Sequence, residues 1–259
     1  MDPRSVMSRS AVIFALLVSG AQAVWAGPIT YLSASRGLDL ELWAGGSPRP
    51  PAQSVEVTHL DPFSETLTDQ TESCLDPGAS IPACTDGPPV EQTVSGVVTH
   101  DSLLADNIIL FSGSTTPNDT CSGFDCAESN VYGRSFLDVS FSLASAQNAE
   151  LLVNGEDFLD SVVAQLLDGD GVSLIQCISR LCHGPDGYTE FGDVLELSLA
   201  AGEYRLLAES SMDWNHFSTE YSGGPLVLSL AVVPEPSAML VFALGMGMLR
   251  TRVVPRRAH

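Results

Sequence analysis

Lysine is missing from this chain. All eleven basic side chains are arginine, set against 32 aspartates and glutamates, for a formal charge of −21 at pH 7. Two of the acids (Asp2, Glu235) and six of the arginines (Arg4, Arg9, Arg250, Arg252, Arg256, Arg257) lie in the end segments. The body between them therefore holds 30 acids and five arginines, a formal charge of −25. A surface of that sign repels phosphate backbones and argues against nucleic acid as a partner. It also repels acidic polysaccharide unless a divalent cation bridges the two, and it keeps the body soluble and apart from its own copies.

Recognisable catalytic frames are missing too. There is no Gly-x-Ser-x-Gly elbow, no His-Glu-x-x-His and no phosphate-cradling glycine loop. The body's four histidines (His59, His100, His183, His216) are scattered without ligand spacing. Carboxylate pairs such as Glu156-Asp157 arise by composition alone in so acidic a chain, and do not define a glycosidase. The expectation is a protein that is not an enzyme. Long amphipathic helices are also lacking; the brief segment Ser102 to Asn107 is the best helical candidate in the body.

What the body does have is alternation. Apolar and polar residues alternate with period 2 over Ile29 to Ser35, Leu38 to Trp43, Ser54 to Thr58, Val94 to Thr99, Phe136 to Leu143 and Val194 to Leu199. Further strands are expected at Ala149 to Val153, Ser161 to Leu167, Val172 to Ile178, Gly202 to Glu209 and Leu226 to Val232. Asn154-Gly155, Asp168-Gly169-Asp170-Gly171, Asp186-Gly187 and Ala201-Gly202 supply hairpin turns between them. Gly45 to Gln53 and Ser73 to Val90, both rich in proline, read as long loops. With 44 % hydrophobic residues the body can bury a core, and about 207 residues suit one domain. The fold expected is all-β, an antiparallel β-sandwich of jelly-roll-like winding. The phrase Leu199-Ala200-Ala201-Gly202-Glu203-Tyr204-Arg205-Leu206 resembles the closing hairpin of many exported β-sandwich modules, with its tyrosine turned inward.

Six cysteines fall into three short-range pairs, Cys74 with Cys84, Cys121 with Cys126, and Cys177 with Cys182. An even count in an exported body reads as disulfides that restrain loops, although six cysteines allow fifteen connectivities. A metal site at Cys177-x4-Cys182-His183 is the competing reading, but the spacing is not that of common zinc folds. Two ligand candidates remain. Asp168 and Asp170 form an oxygen-rich turn that calcium could use, yet an EF-hand would need glutamate where Ser179 stands, and the same residues make a good hairpin turn. Of the exposed-looking aromatics, Trp43 beside Gly45-Gly46 and Trp214 in the polar segment Ser211 to Phe217, Trp214 is the glycan candidate. The alternative for Trp214 is that it covers one end of the core. No other cofactor is expected.

The two ends carry addresses. Arg4 and Arg9 precede the apolar run Ala11 to Val18, and small residues then offer cleavage after Ala23 or after Ala26, the latter preferred; this is a secretory signal peptide. At the other end, Val233-Pro234-Glu235-Pro236-Ser237 cannot continue a strand, and Pro236 can open a helix. Thirteen uncharged residues, Ser237 to Leu249, follow. As a helix they span roughly 20 Å, against a hydrocarbon core of about 30 Å. Arg250, Arg252, Arg256 and Arg257 then favour a cytoplasmic end. This arrangement resembles the PEP-CTERM sorting signal of Gram-negative bacteria. The resemblance covers about the last 27 residues, here 233–259, and an ordinary tail anchor is the competing reading. It implies recognition and cleavage by a membrane protease of the exosortase type, transient inner-membrane anchoring through the C-terminal helix, and release to or fixation at the cell surface.

The organisation expected is thus a signal peptide over 1–26, an exported sandwich over 27–232 and a sorting signal over 233–259. The function expected is a non-catalytic cell-surface or biofilm component associated with extracellular polysaccharide. Alternatives are a glycan- or calcium-dependent binding module and, third, a secreted hydrolase.

Overall fold

Alternation survives as strands almost everywhere it is legible. The computed structural model describes residues 29–44, 50–73, 92–121, 129–155, 162–178, 180–185, 187–215 and 225–233. All of them but Val233 belong to a compact unit running Gly27–Val232. In chain order the strands are β1 (Thr30–Ala44), β2 (Gln53–Val57), β3 (Phe63–Ser73), β4 (Gln92–Ala105), β5 (Ile108–Cys121), β6 (Ser129–Leu143) and β7 (Gln147–Gly155). They continue as β8 (Val162–Asp168), β9 (Ser173–Ile178), β10 (Leu181–Gly184), β11 (Gly187–Glu190), β12 (Val194–Leu199), β13 (Gly202–Asn215) and β14 (Leu226–Val233).

Two sheets form. The larger follows the order β11-β10-β9-β8-β13-β6-β1-β2, and the smaller β12-β7-β14-β5-β4-β3. They pack face to face as an antiparallel β-sandwich. Strict alternation makes this possible: along β4 and β6 nearly every second residue is buried and the residues between are not. Leu38, Leu40 and Leu42 of β1 and Val131 of β6 meet Phe63 and Leu67 of β3 and Val94 and Val98 of β4. Each fully buried side chain of this kind contributes about 1.5–3 kcal/mol. Gly133 of β6 lets the sheets approach closely, since a Cβ there would lie 2.8 Å from Val98 and collide with Thr115. Tyr31 ties the layers at one end by donating its hydroxyl to the Ala105 carbonyl, at 2.7 Å.

The structure corrects several expectations. Ile29 to Ser35 and Leu38 to Trp43 are one strand, β1, which crosses Arg36-Gly37 without a break. Ser102 to Asn107 is not helical: Ser102 to Ala105 end β4, and Asp106-Asn107 turn the chain into β5 with Ala105 opposite Ile108. Two consecutive leucines look helical locally, but cross-strand pairing decides the outcome. Asn154-Gly155 make no hairpin; they end β7 in the small sheet, and the chain next enters β8 in the large one. Ala201-Gly202 is likewise a corner between sheets, joining β12 to β13, rather than a closing hairpin. Tyr204 is buried there as expected, and its hydroxyl donates to the Ala200 carbonyl at 2.8 Å. Of the two long loops, Gln53 already opens β2 and Ser73 still belongs to β3; residues 45–49 and 74–90 lie outside the described residues. The segments expected to form a signal peptide and a C-terminal helix lie outside them too, and among the described residues no helix is long and apolar enough to cross a membrane.

Candidate functional site

The Asp168 turn is a hairpin turn between β8 and β9. The Asp168 N–H donates to the Val172 carbonyl at 3.0 Å, and the Gly171 N–H to the Asp168 carbonyl at 3.0 Å. Gly171, at φ 78°, supplies the left-handed residue this needs. The Asp168 carboxylate is engaged as well, with Oδ1 accepting from the N–H groups of Asp170 (3.0 Å) and Val172 (2.8 Å). Among the described residues no three His, Cys, Asp or Glu side chains are grouped to hold a metal ion.

Trp214 lies near the end of β13, opposite Val131, and not in a loop. Its position in the strand alternation turns it inward, where it packs against the Leu38–Val98 core. Asp213 beside it faces out, and so does Trp43 on β1, opposite Asn130. Cys177 and Cys182 stand directly opposite each other on β9 and β10 and are joined, at 2.11 Å. Those thiols are therefore not free for zinc, and His183 instead meets the Tyr188 ring edge-on at 4.2 Å. Cys74, Cys84 and Cys126 lie outside the described residues, as does the side chain of Cys121. Val233 ends β14; Pro234, Glu235, Pro236, Ser237, Arg250, Arg252, Arg256 and Arg257 lie beyond the described residues.

The structure assembles two polar groupings that the sequence reading did not single out. The first is internal. Arg36, on the inward side of β1, is fully buried. Its Nη1 donates to Ser102 Oγ at 3.1 Å, and its Nη2 donates to the carbonyls of His59 and of Asp61, the latter at 2.9 Å. Those carbonyls belong to the crossing from β2 to β3, so one side chain of the large sheet fastens the chain's passage to the small one. Ser102 Oγ also lies 2.9 Å from His100 Nε2, and His100 Nδ1 lies 3.1 Å from Ser135 Oγ. Ser102 Oγ accepts from Arg36, and its own proton can be directed at Nε2. Burial, and then the Arg36 charge, push His100 down to about 4. Phe63 and Phe111 flank the ring at 4.9 and 5.2 Å.

The second grouping lies on the outer face of the large sheet. A shallow groove of about 350 Å³ runs over β1, β6, β13 and β8, with Arg134, Phe136, Asp138, Gln165, Arg205 and Glu209 among its walls. Every charged side chain there has a fixed partner. Arg205 forks onto Asp138 at 2.8 and 2.6 Å, a pairing that pushes the arginine's pKa further up. Arg134 reaches Glu209 at 2.9 Å and Asp39 at 3.8 Å while stacking over Phe136 at 4.5 Å. Phe136 is out of place on this polar side of β6, between Arg134 and Asp138. Gly37 makes room for it, because a Cβ at that position would come within 2.9 Å of the Phe136 ring. Both groupings left a trace in the sequence: Arg36 shares its parity with Leu38 and Leu40, and Phe136 shares its own with Asp138 and Ser140.

Fold and groove together define a two-layer antiparallel β-sandwich with a mixed aromatic and charged groove on its wider sheet. Compared with known proteins, the chain matches no family model, no curated protein and no solved structure.

Proposed function

We propose that this chain is an exported, non-catalytic component of the cell surface or exopolysaccharide matrix, delivered by C-terminal sorting of the PEP-CTERM kind. One observation carries the reading. The body's last strand ends at Val233, and the next residues are Pro234-Glu235-Pro236, an uncharged run and an arginine cluster. The cleavable punctuation thus follows the folded body directly, and the basic charge lies beyond it. An exosortase-type protease would remove that end and release an acidic body after a brief inner-membrane stage. The winding fits a jelly-roll-like sandwich, because the chain changes sheet seven times between β2 and β14.

Mass spectrometry of the C-terminus, in cells with and without an exosortase, tests this. The expected product ends near Pro234-Glu235-Pro236 only when the protease is present. An intact Arg256-Arg257 end on the surface-exposed protein refutes sorting and leaves an ordinary tail anchor.

A further inference from the structure

We propose that the groove on the outer face of the large sheet binds a neutral polysaccharide. This site is separate from the Trp214 and Asp168 positions, and the proposal stands whether or not the C-terminal sorting reading does.

Three features of the groove select that ligand class. First, its charges cancel locally. Arg134 and Arg205 are opposed by Glu209 and Asp138, in a body whose formal charge is otherwise −25. An acidic polymer would have to displace a carboxylate already held at 2.6–2.9 Å, and would approach against the field of the whole body. A basic ligand would meet two arginines. Second, capacity for hydroxyls remains after the internal pairing. A guanidinium has five N–H donors, of which Arg205 gives Asp138 two, and a carboxylate can accept up to about four hydrogen bonds. Gln165 adds both a donor and an acceptor at the same wall. Sugar hydroxyls donate and accept, so they can use both kinds of site at once. Third, apolar surface lies between these polar groups. Phe136 and Leu207, both half-buried, line the same groove and suit the C–H faces of a pyranose ring.

The groups are also held in place before any ligand arrives. The Arg205 fork fixes two side chains, and the Arg134 stack fixes Phe136 against Gly37. Ordering them on binding costs correspondingly little. A mere cover for Gly37 would not need the flanking forked pair or the open amide of Gln165.

The test is affinity electrophoresis of the full chain, detergent-solubilised with its disulfides oxidised. The gels contain mixed-linkage β-glucan, dextran or galactomannan as neutral polymers, and alginate as the acidic one. Retardation by at least one neutral polymer, insensitive to salt, is expected. Arg205→Gln and Phe136→Ala should weaken it about tenfold, the loss of roughly one charge-assisted hydrogen bond or one packing face. Arg205 is half exposed, so Arg205→Gln should leave the thermal midpoint unchanged and keeps the test valid should Phe136→Ala misfold. Asp101→Asn, on the outer side of β4, should bind as the parent does. No retardation by any neutral polymer overturns the proposal. So does salt-sensitive retardation by alginate alone, or undiminished binding by Arg205→Gln.

Discussion

Replacing Arg36 with methionine tests whether the buried guanidinium braces the fold or burdens it. Three hydrogen bonds are lost, to Ser102 Oγ and to the carbonyls of His59 and Asp61. Bonds to a charged group contribute about 1.5 kcal/mol or more each, a gross loss of about 4–5 kcal/mol. Two offsets reduce it. The guanidinium no longer has to be stripped of water, and its Nε, which has no hydrogen-bond partner among the described residues, disappears. His59 and Asp61 are exposed residues, so water can reach their carbonyls in part. The net expectation is a loss of about 2–3 kcal/mol. For a body of this size that lowers the thermal midpoint by about 5–10 °C. Arg36→Lys should fall between the two, because it keeps the charge but not the fork. Urea unfolding followed by tryptophan emission measures this, provided that the denaturant slope is unchanged. A buried ion can sometimes be exchanged for an apolar side chain at no cost. Here the carbonyls stay behind, so a methionine variant as stable as the parent would refute the brace.

Two further predictions concern stability. An imidazole in the unfolded chain titrates near 6.5, whereas native His100 is held at about 4. The unfolded state therefore takes the proton first as pH falls, and stability present above about pH 6.5 drains away down to about pH 4, by about 3 kcal/mol in all. His100→Gln should flatten that slope relative to the parent; parallel curves for the two would contradict the neutral buried ring. For the disulfide, Cys177→Ala with Cys182→Ala opens a loop of sequence separation 5. The chain-entropy model gives a loss of about 2 kcal/mol, so calorimetry should show a lower midpoint but still one cooperative transition. A body that fails to fold would show that this link does more than restrain the β9–β10 hairpin.

The strands that the sequence revealed were those with one dry face and one wet face. Val194 to Leu199 is β12 to the residue, and Leu226 to Val232 is β14 less its last residue. Strand β3 was hidden because it is an edge: only Phe63 and Leu67 turn to the core, and the rest is Ser, Thr, Glu, Asp and Gln. Pro117 obscured β5, yet the register with β14 begins at Gly113, so the proline lies where β5 has β4 alone as its described partner. Arg36, His100 and Ser135 come from three strands far apart in sequence; register within the large sheet aligns β1 with β6, and packing of the small sheet against it brings His100 of β4 to them. Arg134 and Asp138 share β6, but only the pairing of β6 with β13 brings Arg205 and Glu209 to them. What could be read beforehand was that Arg36 and Phe136 each occupy the wrong side of an otherwise regular alternation. The stretch around Trp214 read as a loop because its polar neighbours Asp213 and Asn215 are the alternate residues of a strand end, while the tryptophan itself packs on the core, the reading set beside the glycan contact.

The place of β14 has a mechanical consequence. It is an inner strand of the small sheet, between β7 and β5, and the chain leaves it at Val233. A pull applied beyond that residue enters the body through a strand laddered on both sides. The load is shared between two neighbours and resisted by many backbone hydrogen bonds together, whereas an edge strand could be peeled away from a single neighbour.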